Sequence, residues 1–127
     1  MHLFNLRVYY EDTDLAGIVY YANYLKFIER ARSEWVRDLG IDQAQMKAEG
    51  LVFAVRRVVA DYLLPARYDD LLCVETKLLP GSGARLVLQQ DVKRGDATLF
   101  SATVTIICMT TDGAMTRLPA AIRQAMA

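Results

Sequence analysis

Apolar and polar side chains alternate from residue 3 to 10, with Phe4, Leu6, Val8 and Tyr10 on one side and Asn5, Arg7, Tyr9 and Glu11 on the other. A period of two predicts a half-buried strand. The alternation breaks at Glu11-Asp12-Thr13-Asp14, and a short apolar link containing Gly17 follows. The period then lengthens: Tyr24, Phe27, Ile28, Ala31, Trp35 and Leu39 recur at steps of three and four, with Lys26, Glu29, Arg30, Ser33 and Arg37 opposite them. This spacing predicts an amphipathic helix over residues 22–39, about 25 Å long at 1.5 Å per residue, with Asn23 as its cap and Gly40 as its stop. A weaker helix is predicted from Asp42, a suitable N-cap, to Glu49, ending at Gly50.

The remainder reads as antiparallel strands joined by tight turns. They run from Leu51 to Leu63, from Leu71 to Leu79, from Ala84 to Arg94 and from Ala97 to Thr110. Pro65, Pro80-Gly81-Ser82-Gly83, Gly95-Asp96 and Thr111-Asp112-Gly113 punctuate them. In the third of these strands, Leu86, Leu88, Gln90 and Val92 share one face and Arg85, Val87, Gln89 and Asp91 the other. Pro119 opens a terminal helical turn to about Met126. The order is a strand, a long helix and a four-strand meander, which implies a single two-layer α+β domain over residues 1–127, with the helix laid on one sheet face. The other face and the edge strands must be solvated, curled or buried in a partner.

Composition sharpens this picture. The 127 residues are 54% apolar, a high share for a chain too short to hide apolar surface efficiently, and this favours a buried partner surface. Fifteen basic and fifteen acidic side chains cancel, and no basic run exceeds a pair, so nucleic acid and anionic membranes are poor candidates as partners. No stretch approaches the ~20 apolar residues of a membrane span, and no signal-peptide pattern opens the chain, so a cytoplasmic location is expected. Cys73 and Cys108 lie in strand-like runs without CxxC spacing and read as buried thiols. The only histidine is His2, at an N-terminus expected to fray. Histidine triads and histidine-ligated metals are thereby excluded, and chemistry falls to carboxylates, hydroxyls or backbone.

The densest run of unusual residues is Tyr9 to Tyr24, in which three carboxylates, Glu11, Asp12 and Asp14, precede the long helix. One reading is capping, since acids near a helix N-terminus stabilise it through the dipole. The other is acyl transfer, in which free backbone N–H groups at the helix start hold a developing oxyanion while a carboxylate attacks or activates water. A glycine-permitted turn between acid and helix is needed only by the second. Strand alternation limits how many of the three acids share a face, so Glu11 and Asp12 read first as solvated surface. Gly81-Ser82-Gly83-Ala84-Arg85 offers backbone N–H groups, a hydroxyl and a cation, which suits phosphate as well as a plain hairpin. Arg56 and Arg57 are expected to point to opposite faces of their strand. Trp35 and the tyrosines at 9, 10, 20 and 24 read as core or interface.

The run from Tyr10 to Tyr24, continued by Phe27-Ile28-Glu29-Arg30-Ala31-Arg32, strongly resembles the hotdog-fold acyl-CoA thioesterases of the 4-hydroxybenzoyl-CoA thioesterase family. It is closest to the branch associated with the Tol-Pal envelope system. Val55-Arg56, Tyr62, Pro65-Ala66 and Tyr68-Asp69-Asp70 extend the resemblance over nearly the whole chain. It implies a five-stranded antiparallel sheet wrapped around one long helix, and hydrolysis of an acyl-CoA thioester by a homo-oligomer with sites at protomer boundaries. Coenzyme A is then part of the substrate, and neither cofactor nor metal is implied. By position, Asp14 matches the family's catalytic aspartate, as nucleophile or general base, and Tyr21 the helix start whose N–H polarises the carbonyl. The substrate-binding candidates are Gly17, Val19, Arg56, Ser82 and Arg85. Many members of the branch carry histidine at the position of Tyr21, whereas the 4-hydroxybenzoyl-CoA enzyme carries tyrosine. A hotdog dehydratase would need a histidine beside its acid, and a non-catalytic acyl-CoA binder or envelope scaffold would not need Asp14.

Overall fold

The computed structural model describes residues 1–127, as an antiparallel sheet and three helices. Strand β1 is His2–Arg7, and a 3-10 turn at Tyr10–Asp12 follows it. Helices α1 (Asn23–Asp38) and α2 (Gln43–Ala48) come next, then β2 (Leu51–Tyr62), β3 (Leu71–Leu79), β4 (Arg85–Arg94) and β5 (Ala97–Thr110). A short β6 (Met115–Thr116) and α3 (Ala120–Met126) end the chain. The predicted helix at Asp42 forms as expected, with the Asp42 side chain accepting from the Ala44 and Gln45 N–H groups.

The expected four-strand meander is corrected. The sheet order is β1-β3-β4-β5-β2, with β6 added beside β5. Only β3, β4 and β5 form a meander; β2 lies at the far edge against β5, and β1 forms the other edge against β3. Alternation specifies which face a side chain takes but not which strand lies alongside. The connection over residues 63–70 settles the order. Leu63 and Leu64 donate their N–H groups to Leu99 O at 2.8 and 3.1 Å, and Asp69 N–H donates to Val8 O at 3.0 Å. The segment therefore crosses the whole end of the sheet, from the β5 edge to the β1 edge, before β3 begins.

Helix α1 packs over β1, β3 and β4. Phe27, Ile28 and Ala31 meet Val74, Leu86, Leu88, Val92, Phe100 and Val104 in one continuous core. In β4 the predicted alternation holds, since Leu86, Leu88, Gln90 and Val92 are all buried. Cys108 is buried and Cys73 half-buried, both as free thiols. His2 does not fray: it is the first residue of β1, and its Nε2 lies 2.9 Å from Asp38 Oδ2 at the end of α1. No helix is long and apolar enough to cross a membrane.

Strand β2 carries a bulge at Arg56, where the register shifts between Val55 and Arg57. Val55 pairs with Ile106, Arg57 with Thr105 and Val58 with Val104. Paired residues share a face, so the bulge keeps Val55, Val58, Ala60 and Tyr62 on the helix side and sends Arg57, Val59 and Asp61 to the other. Without the extra residue, Arg57 and Asp61 would face the core. The expected simple opposition of Arg56 and Arg57 is therefore replaced by an unpaired Arg56 at the bulge and an outward Arg57, both exposed. Since α1 does not reach this edge, Val55, Val58 and Tyr62 stay exposed even though they face the helix side.

Candidate active site

Residues 9–22 form a folded loop clamped at both ends. At its start, Val8 N–H donates to Asp70 O at 2.9 Å. The 3-10 turn closes with Asp12 N–H to Tyr9 O at 3.0 Å and Thr13 N–H to Tyr10 O at 3.1 Å. Asp12 is not the solvated acid expected from its neighbours: it is only 5% exposed. Its Oδ2 accepts from Tyr9 N–H at 2.9 Å and its Oδ1 from Asn23 Nδ2 at 3.0 Å. Burial of a carboxylate is sustained by such donors. The pair ties the loop to the first residue of α1. Asn23 therefore acts as a brace rather than a cap, and Ala22 takes the N-cap position without any side-chain hydrogen bond.

Beyond Asp12 the chain makes a small hairpin. Thr13 bridges Val19, Asp14 N–H donates to Ile18 O at 3.0 Å and Gly17 N–H to Asp14 O at 3.0 Å. Gly17 has φ +79° with open space around its missing Cβ, so glycine is required by backbone conformation and not by crowding. Asp14 Oδ1 accepts from Ala16 N–H at 2.9 Å, an Asx turn that fixes the carboxylate while leaving it exposed to solvent. Val19, a substrate-binding candidate, is only 3% exposed and belongs to the hydrophobic core. Its N–H donates to Ala66 O at 2.8 Å, so the backbone at this position anchors the hairpin.

The start of α1 supplies the complement to Asp14. Tyr20 N–H is taken by Asp12 O at 2.8 Å and Asn23 N–H by Tyr20 O at 2.8 Å, whereas the Tyr21 and Ala22 N–H groups donate to no protein acceptor. No acid stands in the first turn. The capping reading of the upstream carboxylates is thus not the one realised: Asp12 braces, Asp14 closes its own turn and Glu11 is exposed. What remains is an exposed carboxylate and a helix N-terminus with free donors, held by one loop, as nucleophilic or base-assisted acyl transfer requires.

Tyr62 is a contributor that residue-by-residue sequence reasoning did not single out as a site residue. From the end of β2 its hydroxyl donates to Tyr21 O at 3.1 Å. Its ring packs edge-on against Tyr21, Tyr24 and Phe100 at centroid distances of 6.1, 5.7 and 5.1 Å. Burial pushes the Tyr62 hydroxyl up from its ordinary pKa, with Tyr21 and Tyr24 adding to the effect. Tyr24 stacks on Phe100 at 5.0 Å, and its hydroxyl accepts from Ala66 N–H at 3.1 Å. Burial raises its pKa too, against the Ala66 hydrogen bond and Arg94. The 65–70 segment on which the hairpin rests is itself fixed by Asp70. This carboxylate accepts from Arg67 N–H and Arg94 Nη1, both at 2.8 Å. Desolvation would raise the Asp70 pKa, but these two donors and the Arg94 and Arg67 charges outweigh it and hold it below the usual carboxylate range.

The second group of candidates lies elsewhere. Ser82 Oγ accepts from Ala84 and Arg85 N–H at 3.2 and 3.1 Å, and Ser82 N–H donates to Arg85 O at 3.0 Å, so the hydroxyl's first task is to close its own turn. A Cβ on Gly81 would lie 2.4 Å from Arg85 O, which explains that glycine. Arg85 is exposed and makes no salt bridge. This turn sits at the Leu79 end of β3, about 30 Å from the Leu71 end at 3.3 Å per residue. The hairpin of Asp14 is docked on residues 66–67, at that Leu71 end. Within one chain, Asp14, Gly17 and Tyr21 come together; Ser82 and Arg85 do not join them, and Arg56 stands between the two groups on the open edge.

Comparison with known proteins places the chain in a family. A model of the thioesterase-like superfamily matches residues 8–127. The acyl-CoA thioesterase YbgC of Haemophilus influenzae is 43% identical over 107 residues, 84% of this chain and 79% of that protein. The acyl-CoA thioester hydrolase YbgC of Escherichia coli O6:H1 is 41% identical over 105 residues, 82% of this chain and 78% of that protein. Among solved structures, a Bartonella henselae protein described as a probable thioesterase superposes with a TM-score of 0.89 at 39% identity, covering 93% of this chain and 98% of the other. Slr0204, a 1,4-dihydroxy-2-naphthoyl-CoA thioesterase from Synechocystis, shares the fold with a TM-score of 0.90 at 20% identity, covering 98% of this chain and 94% of the other. The family match begins just after β1 and runs through the hairpin, the long helix and every later strand, and the chain belongs to the thioesterase-like superfamily and carries the hotdog fold.

Proposed function

We propose that this chain hydrolyses acyl-CoA thioesters to the free acid and coenzyme A. The observation that carries the reading is the pairing of an exposed, turn-fixed Asp14 carboxylate with the unpaired Tyr21 and Ala22 N–H groups. The thioester carbonyl oxygen accepts from these donors and gains negative charge as the carbonyl carbon is attacked. Either Asp14 attacks, displacing the CoA thiolate to leave a mixed anhydride that water then opens, or Asp14 takes a proton from a water that attacks directly. In both routes the C–S bond breaks, a C–O bond forms, and the thiolate leaves with a proton derived from water. Tyr62 holds the Tyr21 carbonyl and so positions the donors without touching the reacting atoms.

The working unit is a homo-oligomer in the cytoplasm. Strand β2 pairs only with β5, and its outer edge presents Val55, Val58, Val59 and Tyr62 to solvent. An open edge of this length and apolarity invites strand pairing. Two copies joined β2 to β2 about a two-fold axis would run antiparallel. The Gly81 to Arg85 turn of one would then approach the Asp14 end of the other, where it can meet the phosphates of coenzyme A.

A screen of acyl-CoA thioesters, read by release of free thiol, tests the reading. The wild-type chain is expected to turn over at least one class. Inactivity across short, medium, long and aromatic acyl groups would overturn it.

A further inference from the structure

Between α1 and the β2 side of the sheet lies a cleft of about 190 Å³, with apolar walls from Trp35, Phe53, Val55, Leu86, Leu88 and Ile106. It exists because α1 sits over β1, β3 and β4, while Val55, paired with Ile106, faces the uncovered space. Arg32 enters this cleft from α1. Its Nη1 donates to Gln90 Oε1 at 3.0 Å. Gln90 is fully buried and is itself pinned by Nε2 donations to Ile28 O and Thr76 Oγ1, both at 3.0 Å. A guanidinium has five N–H donors, and only the one to Gln90 is used here. Arg32 makes no salt bridge: Glu29, one turn back at the exposed rim, instead accepts from Ser33 Oγ at 2.9 Å. Burial pulls the Arg32 pKa down, with Glu29 acting in the opposite sense. A half-buried cation on apolar walls, with donors to spare, is an incomplete site.

We propose that this cleft receives the distal part of the acyl group, and that Arg32 selects acyl groups carrying a hydroxyl there over plain alkyl groups. The proposal rests on the thioesterase reading above. An apolar cavity of about 150 Å³ accepts benzene, so this one has room for a ring or roughly six to eight methylene carbons. Reach is consistent with that occupant. From Ala22 to Arg32 the helix rises about 15 Å, and because helical side chains lean toward the N-terminus the guanidinium shortens the gap. A medium-length acyl group held at the Tyr21 N–H spans such a distance. Glu29 determines the polarity of the preferred group: a second carboxylate would face its charge, whereas a hydroxyl can accept from Arg32 and leave Glu29 undisturbed.

The test uses matched pairs of acyl-CoA thioesters with eight, ten and twelve carbons, each as the plain alkanoyl and its terminal hydroxy form. The wild type is expected to favour the hydroxy form in kcat/KM by roughly tenfold to a hundredfold at one or more of these lengths, the range of a charge-assisted hydrogen bond. Arg32→Met is expected to bring that ratio to one or below. Arg32→Lys, which keeps a charge and a donor, is expected to retain part of the preference and covers the case in which the methionine variant does not fold. The same pairs as non-hydrolysable CoA thioethers, measured by calorimetry, separate this inference from the catalytic one. Preferential binding of the hydroxy thioether without hydrolysis of any thioester would overturn the thioesterase reading and leave the Arg32 site standing. Hydrolysis with no preference at any length, or an Arg32→Met loss equal for both forms, would overturn the Arg32 site.

Discussion

Replacing Asp12 with alanine removes the brace between the loop of residues 9–22 and α1. Two donors lose their acceptors: Asn23 Nδ2, which is buried, and Tyr9 N–H, which is part-buried. A buried donor left unpaired costs about 1–3 kcal/mol, and the part-buried one less, so the sum is roughly 3 kcal/mol. For a chain of this size each kcal/mol moves the melting midpoint by about 4 °C, giving an expected fall of roughly 12 °C in a calorimetric scan. The Asp12→Ala, Asn23→Ala and double variants complete a cycle, in which a coupling of about 1 kcal/mol or more is expected for groups in direct contact. Because Tyr20 N–H is held by Asp12 O, loosening this turn also displaces the start of α1, and thioester turnover is expected to fall about tenfold or more. A melting shift under 2 °C with unchanged turnover would refute the assignment of Asp12 as the brace.

Other consequences are simpler. Tyr62→Phe removes the hydroxyl that holds Tyr21 O while keeping the ring packed, so kcat should drop several-fold with a melting shift of only a few degrees; full activity would remove Tyr62 from the positioning role. Leu88→Ala empties a fully buried position under α1 and should cost about 2–5 kcal/mol by denaturant titration; a loss under about 1 kcal/mol would contradict its place in the core. Asp70 has its folded pKa depressed by its donors, so it contributes stability that is present above the unfolded carboxylate pKa and lost as pH falls through the lower folded value. Arg94→Met should therefore destabilise the chain more at pH 6 than at pH 3, and an equal loss at both would contradict the linkage.

Legibility in the sequence followed the kind of physics involved. Periodicity located α1 to within a residue at each end, and the alternation of Leu86 to Val92 marked the buried face of β4 correctly, because both patterns are local. Strand order was not legible: the partner of β2 depends on the 63–70 crossing, whose decisive hydrogen bonds reach Leu99 and Val8. The bulge at Arg56 was hidden because a double arginine shows no turn residue, although Val58, Ala60 and Tyr62 follow in the period that only a one-residue shift would bring to the helix side. Asp14 and Gly17 were visible as an acid and a glycine before a helix. Asp12 looked identical in composition, and its burial comes from Asn23, eleven positions away, reaching back to it. The Ser82 to Arg85 turn was recognisable as a phosphate-compatible shape, but its distance from Asp14 within one chain is a property of the sheet.

The account depends most on the Asp14 carboxylate. Asparagine at this position keeps Oδ1 as acceptor for Ala16 N–H, so the Asx turn, Gly17 and the hairpin should survive and the melting midpoint should stay within about 2 °C. What disappears is the negative oxygen that attacks or deprotonates. With an acyl-CoA that the wild type hydrolyses, Asp14→Asn is expected to lower kcat at least about a hundredfold, with KM changed far less. A folded Asp14→Asn chain that retained kcat within threefold of wild type would contradict the account.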